Sequence, residues 1–505
     1  MTGGAFTRVV SLALAAAAAL LASTGNANAG PVFFAALGAG ASVGAAFGAT
    51  AVGTFVGSTI GRLLVTVALT ALQAATVAKP KPAGLATETT LSGGTNPVNF
   101  ILGRYATAGN AVCPAMSHGD TLGRLTYVID LGDIPITSIE RVAIDGEYVA
   151  VDWGGALHPE GYGVAIGGRY SGWGWLKRRT GDETTADPML LAKYSSYPLR
   201  PWSANMIGRG VPHAIMTFRF DPEVYQGFPT VLYEVRGIRL YDPRRDTTVG
   251  GAGAHRWATP STWEWTDNNA VMIYNILRGI PLLDGSVWGG RWQAADLPLD
   301  NWFAAMNACD EAVAKAGGGT EARYRAGYEV RASDEPADVI EELLKGCAGR
   351  IVPTAGQCKI RIGGPGLPVY FFSDDDTVVS RPEELDAFPG LEETHNGVHA
   401  SYLEPESLWK PKDAPPRYNA GWEAEDQDRR RIIEMNLPTV FSGTQAQRLM
   451  RAYIEDARRF RRHSVHLPPE AAVLEPLDTV SWTSARNGYS GKLFEVAQVT
   501  DDLMT

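Results

Sequence analysis

The chain has 505 residues, 45% of them hydrophobic and 20% charged, with a formal net charge of −10. That length suits three or four domains with cores of their own, and the acidic balance argues against a surface built to coat nucleic acid, which would be basic. Four cysteines (Cys113, Cys309, Cys347, Cys358) form no CxxC pair and read as buried free thiols.

Residues 1–90 form an apolar, Gly/Ala-rich N-terminal segment. Between Val9 and Ala78 the one charged side chain is Arg62. Arg8, the apolar run to Ala22 and Ala27-Asn28-Ala29 imitate a secretory signal with its cleavage site. The apolar character continues well beyond that point, though. Gly40, Gly44 and Gly48 are spaced by four, and after a slip of one so are Gly53, Gly57 and Gly61. On a helix they make a smooth strip that another helix or a membrane partner can approach closely. The expectation is a packing arm, or a segment that enters a membrane. Lys79-Pro80-Lys81-Pro82 opens a linker that runs to Thr95.

Residues 91–255 predict a first β-rich domain, barrel-like in shape. Short strands (RLTYVIDLG, ERVAIDGEYVAVDW, GVAIGG, HAIMTFRFD) alternate with Gly, Pro and Asp turns, and Thr180–Arg209 reads as an extended loop. Trp153, Tyr162, Tyr170, Trp173 and Trp175 suit a core, or a surface for sugars or proteins. In VLYEVRGIRLYDPRR, Val231, Tyr233 and Val235 alternate as in a half-buried strand. The phase slips to Ile238 and Leu240 across Gly237, where a bulge is expected.

Residues 256–375 predict an α/β module. Its first helix has Asp267 as N-cap, apolar Ala270, Ile273, Tyr274 and Leu277, and a stop at Gly279. A second follows Pro298, carries Trp302, Phe303, Met306, Cys309 and Val313, and ends at Gly317-Gly318-Gly319. A third starts near Ser333-Asp334, buries Val339, Ile340, Leu343 and Cys347, and stops at Gly349. YRAGYEVRAS is an extended run between them, and IVPTAGQCKIRI a hairpin with Gly356 in its turn.

Residues 376–505 predict a second β-rich domain with one basic helix. Asn396–Leu403 is a strand followed by a Pro/Lys loop over 405–416. Gln445–Arg462 reads as a helix with Leu449, Ala452, Tyr453, Ala457 and Phe460 inward. Its other face carries Arg448, Arg451, Arg458, Arg459, Arg461 and Arg462, a solvated face or a surface that docks an acidic neighbouring subunit. LDTVSWTS and KLFEVAQVT close the chain as strands.

Signatures of chemistry are weak. Gly40-Ala41-Ser42-Val43-Gly44 matches the nucleophile-elbow string without a preceding strand. Cys113 and His118 are neighbours in sequence, but a catalytic pair needs spatial approach and a third, orienting group. Eight histidines show no ligand spacing. Glu383-Glu384 and Glu392-Glu393 could be imagined as a muramidase acid and base, and Asp374-Asp375-Asp376 as a cation site. Solvated turns explain them more simply. The expectation is no catalytic centre, no metal and no cofactor.

The collinear series RGIRLYDPR, WTDNNAVMIYNILRG, LDNWFAAMNACDE, GGTEARYRAGYEVRASDEPADVIEELLKGCAGRIVPTAGQCKIRI and HNGVHASYLEP resembles the hub part of siphophage tail-tip proteins. This is the family of the lambda host-specificity (tip attachment) protein J and of gene transfer agent hub proteins. The resemblance runs roughly from Leu125 to Trp482 and is firmest from Val231 to Pro405. It implies an α+β, multidomain fold with two barrel-like hub domains continuing the tail tube and an α/β module alongside. It also implies a non-enzymatic homotrimer at the virion tail tip that closes the tube and opens for DNA delivery. Partners would be the distal tail protein, other tip proteins, the tape measure and a tail fibre or receptor-binding chain, with possible host-membrane contact. DNA would pass without sequence-specific binding, which an acidic lumen suits. Many relatives continue into fibronectin-like and receptor-binding parts, so receptor binding is expected of another chain. The alternatives are a secreted or tail-associated cell-wall hydrolase, from the signal-like start and the aromatic stretch, and a membrane pore component built on the glycine ladder.

Overall fold

The computed structural model describes residues 91–92 and 97–500, apart from 120–122, 199, 226, 316, 355, 389 and 391–393. The glycine strip, the Gly40–Gly44 string and Glu392-Glu393 lie outside the described residues. Two units divide the chain, Met1–Ala74 and Ala75–Thr505, and every described residue belongs to the second.

The N-terminal half of that unit is two sheets around one core. Its strands are β1 (Asn99–Thr107), β2 (Arg124–Asp130), β3 (Ile136–Ile144), β4 (Glu147–Val149), β5 (Gly174–Arg179), β6 (His213–Arg219) and β7 (Val231–Leu240). β7 runs antiparallel to β1 on one side and to β3 on the other. Far along the chain, β8 (Gly327–Arg331) adds to the free side of β1. The second sheet pairs β6 antiparallel with both β2 and β5. Ile101, Val142, Tyr233 and Val235 from the first sheet meet Leu176, Met216 and Phe218 from the second, as period-two alternation requires.

Two details differ from the sequence reading. The register of β7 against β3 slips between Glu234 and Val235, with Glu140 as the extra residue on β3, so the irregularity is not at Gly237. That glycine serves a close approach: a Cβ there would lie 1.9 Å from the Ile101 carbonyl oxygen on β1. The stretch read as loop, Thr180–Arg209, contains helix α1 (Pro188–Tyr194), capped by Asp187, whose side chain accepts from the Met189 and Leu190 N–H groups. Met189, Leu190 and Tyr194 cover the outer side of the second sheet beside Tyr162, Trp175 and Ile215. Two turns between prolines are too short for a helical period to show.

The central helices are α2 (Asn269–Arg278), α3 (Leu299–Asp310) and α4 (Pro336–Lys345). Asn268, not Asp267, caps α2, accepting from the Ala270 and Val271 N–H groups at 3.0 and 3.2 Å. Asp267 instead pairs with Arg325 at 3.0 Å. Residues 269–277 are all buried, including two asparagines whose side-chain amides donate to backbone carbonyls: Asn269 to Leu343 O, and Asn275 to Tyr241 O. α2 is therefore the pillar on which α3 and α4 pack. α3 ends at Asp310, earlier than the periodicity suggests, and Val313 lies in a short hairpin strand, Ala312–Ala314. α4 buries Val339, Ile340, Leu343 and Leu344; Cys347 is buried just past its end. The hairpin β9 (Arg350–Thr354) and β10 (Gln357–Arg361) turns at Gly356, φ +80°.

In the C-terminal part, β11 (Tyr370–Ser373) runs parallel to β14 (Thr479–Ser484), which pairs antiparallel with β15 (Tyr489–Glu495). Phe372, Val480, Trp482 and Tyr489 make their core. β12 (Gly397–Glu404) lies between a parallel β13 (Ile432–Leu437) and a short antiparallel strand, Lys410–Asp413, inside the stretch expected to be loop. Helix α5 (Ala420–Glu425) precedes β13. Helix α6 (Gly443–Ala457) packs on β12 and buries Ala446, Leu449, Met450 and Ile454; Ala452, Tyr453 and Ala457 are only half-buried. It stops at Ala457, so Phe460 and Arg462 are not on it; Arg462 opens a strand, Arg462–Ser464, against Glu384–Asp386. The architecture is α+β, with open strand orders among the described residues; the expected barrel closure is not seen.

Candidate functional site

A buried carboxylate is the most heavily bonded polar group between the two β regions. Glu234 sits mid-strand on β7 and is 1% exposed. Flanking strands aim two arginines at it: Arg104 from β1, with Nε 2.6 Å from Oε1, and Arg141 from β3, with Nε 2.9 Å from Oε2. The Trp409 indole N–H donates to Oε2 at 3.1 Å. The Tyr148 hydroxyl from β4 lies 3.2 Å from Oε2 and 2.7 Å from Pro405 O, one proton shared by two acceptors. Burial alone would push the Glu234 carboxyl up, but the Arg141, Arg104 and Trp409 donors outweigh it and hold it below the usual carboxylate range.

Half of this cluster comes from the segment after β12. Pro405 takes the tyrosine proton, Glu406 pairs with Arg141 at 2.8 Å, and Trp409 enters the N-terminal core fully buried, beside Tyr105 and Phe441. The chain reaches it through two consecutive left-handed residues, Leu408 at φ 58° and Trp409 at φ 60°. Neither is glycine, so both conformations cost energy that the surrounding contacts must offset. The arrangement ties one β region to the other through a buried carboxylate whose charge is offset by donors from both, Arg104 and Arg141 on one side and Trp409 on the other. Sequence reading missed it because a glutamate among apolar strand residues looks like an ordinary outward position. The faint signal was Arg141 within the predicted strand ERVAIDGEYVAVDW; the strand that carries Arg104 was not predicted.

The structure scatters the arginines singled out from sequence. Arg448 turns inward to Glu321 at 2.6 Å and to Arg323 O. Arg458 is buried against Asp426 at 3.1 Å and lies over the Trp422 and Phe460 rings. Arg451 and Arg459 stay exposed, each with a local partner, Glu455 and Asp456. Cys113 and His118 make no pair: the ring nitrogens of His118 meet the Tyr194 and Tyr162 hydroxyls at 2.6 and 2.8 Å. Glu383 accepts from His463 and Asn487, while Glu384 points away on an exposed edge strand. Asp374–Asp376 is a single 3-10 turn closed by a Ser373–Asp376 capping box. Among the described residues no three acidic, histidine or cysteine groups converge to hold a metal. Tyr162, Tyr170 and Trp175 are core residues.

Residues 335–499 match a family described as a putative phage tail protein. Among solved structures, a chain from the virion of a native gene transfer agent particle is similar, with a TM-score of 0.52 and 16% identity over 92% of this chain and 93% of that one. The 43 kDa tail protein of prophage MuSo2 from Shewanella oneidensis matches with a TM-score of 0.27 and 10% identity over 80% and 89%. No curated protein matches the chain. The family match covers the C-terminal third of the chain, and the likeness to the gene transfer agent virion chain is one of fold.

Proposed function

We propose that this chain is the tail-tip hub of a long, non-contractile-tailed phage or phage-like particle. The observation that carries the reading is a fold shared with a gene transfer agent virion protein along nearly the whole chain, over a C-terminal third that matches a phage tail family. On this reading residues 91–255 and 376–505 are two hub domains, 256–375 an accessory module, and 1–90 a packing or membrane-entering arm with its strip from Gly40 to Gly61. Three copies close the tube, bind the distal tail protein, the tape measure and other tip proteins, and anchor a fibre. Host attachment opens the ring for DNA. Arg451, Arg459, Arg461 and Arg462, the exposed members of the arginine set, face an acidic neighbour on this reading. The Glu234–Trp409 lock supplies the rigidity a ring needs before it opens.

Gold-labelled antibody against the chain tests this on intact particles. The label is expected at the tail end remote from the capsid; label on the capsid or along the tube would overturn the reading. Light scattering of the purified chain is expected to give three times 54.1 kDa, about 162 kDa.

A further inference from the structure

At the C-terminal end of α2 lies a cavity of about 280 Å³ lined by Tyr241, Asp246, Trp257, Tyr274, Arg278 and Leu299. Its walls are mostly apolar, with aromatic rings among them: Tyr241 stands edge-on to Trp257 with ring centroids 5.4 Å apart, and Trp257 leans on Trp263, behind the wall, at 5.3 Å. Two of its charges cancel in place. Asp246 accepts from the Tyr241 hydroxyl, both donors of Thr248 and Arg256, all within 2.6–2.9 Å, so Arg256 brings no net charge. Arg278 is different. Its guanidinium lies over the Trp257 ring, 4.1 Å from the centroid, and Nη1 reaches the Tyr274 hydroxyl at 3.2 Å. Among the described residues no carboxylate lies within ion-pair distance of it. Stacking holds the planar fork in one orientation while most of its donors stay unused.

We propose that this cavity is a docking site for a partner polypeptide that presents a glutamate or aspartate beside an aliphatic or aromatic side chain. The carboxylate takes the open fork of Arg278, and the neighbouring side chain fills the space between Trp257 and Leu299. A forked pair with carboxylate is the geometry a guanidinium satisfies best. A phosphate would want several cations, and only one here is uncompensated. The volume suits one anchor side chain of the kind that dominates protein interfaces. The site stands independently of the hub assignment, since any acidic–apolar segment of a neighbouring protein meets its chemistry.

The test is saturation-transfer NMR on the full chain with acetyl-Leu-Glu-Leu-amide and its glutamine counterpart, at millimolar peptide. The glutamate peptide is expected to bind about tenfold more tightly than the glutamine peptide. Arg278→Gln should remove that preference while leaving the circular dichroism spectrum and the thermal midpoint unchanged. Arg278→Lys, a point charge without the fork, should restore only part of it. Equal binding of the two peptides, no binding of either, or a preference that survives in Arg278→Gln would overturn the proposal. So would 4-methylpentanoate binding as tightly as the peptide, which would make the cavity a small-carboxylate site.

Discussion

Two carboxyl groups in this chain respond to pH with opposite sign, because they are buried in opposite company. Glu234 has its two arginines and the Trp409 indole, so its folded pKa lies below the unfolded value. Its stabilisation is complete above the ordinary carboxylate range and is lost as pH falls through the depressed value. Removing it by Glu234→Ala leaves Arg104 with Glu140 and Arg141 with Glu406 as their remaining carboxylate partners, and takes away the acceptor shared by both and by Trp409; a cost of about 3–5 kcal/mol is expected at neutral pH, read from urea unfolding. A loss below about 1 kcal/mol would mean water replaces the carboxylate without penalty. Asp130, at the end of β2, has no cation nearby: burial pushes its carboxyl up to about 7, against the pull of the Gly132 N–H at 2.8 Å. The contribution here is fully present below the unfolded pKa and fades as pH rises through the folded one. Asp130→Asn keeps an acceptor for Gly132 and cannot ionise. Its urea midpoint is expected to fall less than that of the parent between about pH 5 and pH 8; parallel curves would assign the pH dependence to other groups.

At the scale of elements, much was legible, and the failures share a cause. Alternation in VLYEVRGIRLYD located β7, Gly279 marked the end of α2, and Gly356 marked the β9–β10 turn, whereas α4 ends at Lys345, ahead of the Gly349 expected to stop it. The C-terminal end of α6 was illegible because no glycine or proline stands between Gln445 and Leu467; what stops the helix is the pairing of Arg462–Ser464 with Glu384–Asp386, a contact between distant segments. Gly237 was recognised as special for the wrong reason. Its φ is not left-handed, and the constraint comes from the opposing backbone of β1. Two alanine substitutions separate these kinds of glycine. Gly237→Ala would set a Cβ 1.9 Å from Ile101 O, so β1 must move; a loss of about 3 kcal/mol or more is expected. Gly356→Ala meets open space at φ +80° and should cost only the left-handed conformation, about 1 kcal/mol. Similar losses for both, measured by denaturant unfolding, would show that β1 and β7 part easily and that the sheet is softer than its register implies.

Across the whole molecule, what makes one body of residues 97–500 is two long-range insertions that no local pattern announces. β8 returns from the helical region to pair with β1, Gly327 opposite Gly103. The Pro405–Trp409 segment returns from the C-terminal sheet to complete the N-terminal core. Each sheet has its own apolar cluster, so either could stay folded if the connection failed. Trp409 is then the residue on which cooperativity depends. Trp409→Ala leaves a large void in the shared core and strips a donor from Glu234, with an expected cost of about 3–5 kcal/mol. The more telling outcome is the shape of the transition. The parent is expected to unfold in one step across residues 97–500, and the variant in two, seen as separated calorimetric peaks. Trp409→Phe keeps most of the ring and loses the N–H, so it should retain one transition at reduced stability, by about 1–2 kcal/mol. If Trp409→Ala also melts in a single step, the β regions are held together elsewhere, with β8 the next candidate. If it melts in two, the strained Leu408–Trp409 turn is a joint that a partner's binding energy could release. On the proposed hub reading, a ring that stays shut and then opens would use a two-state connection of that kind.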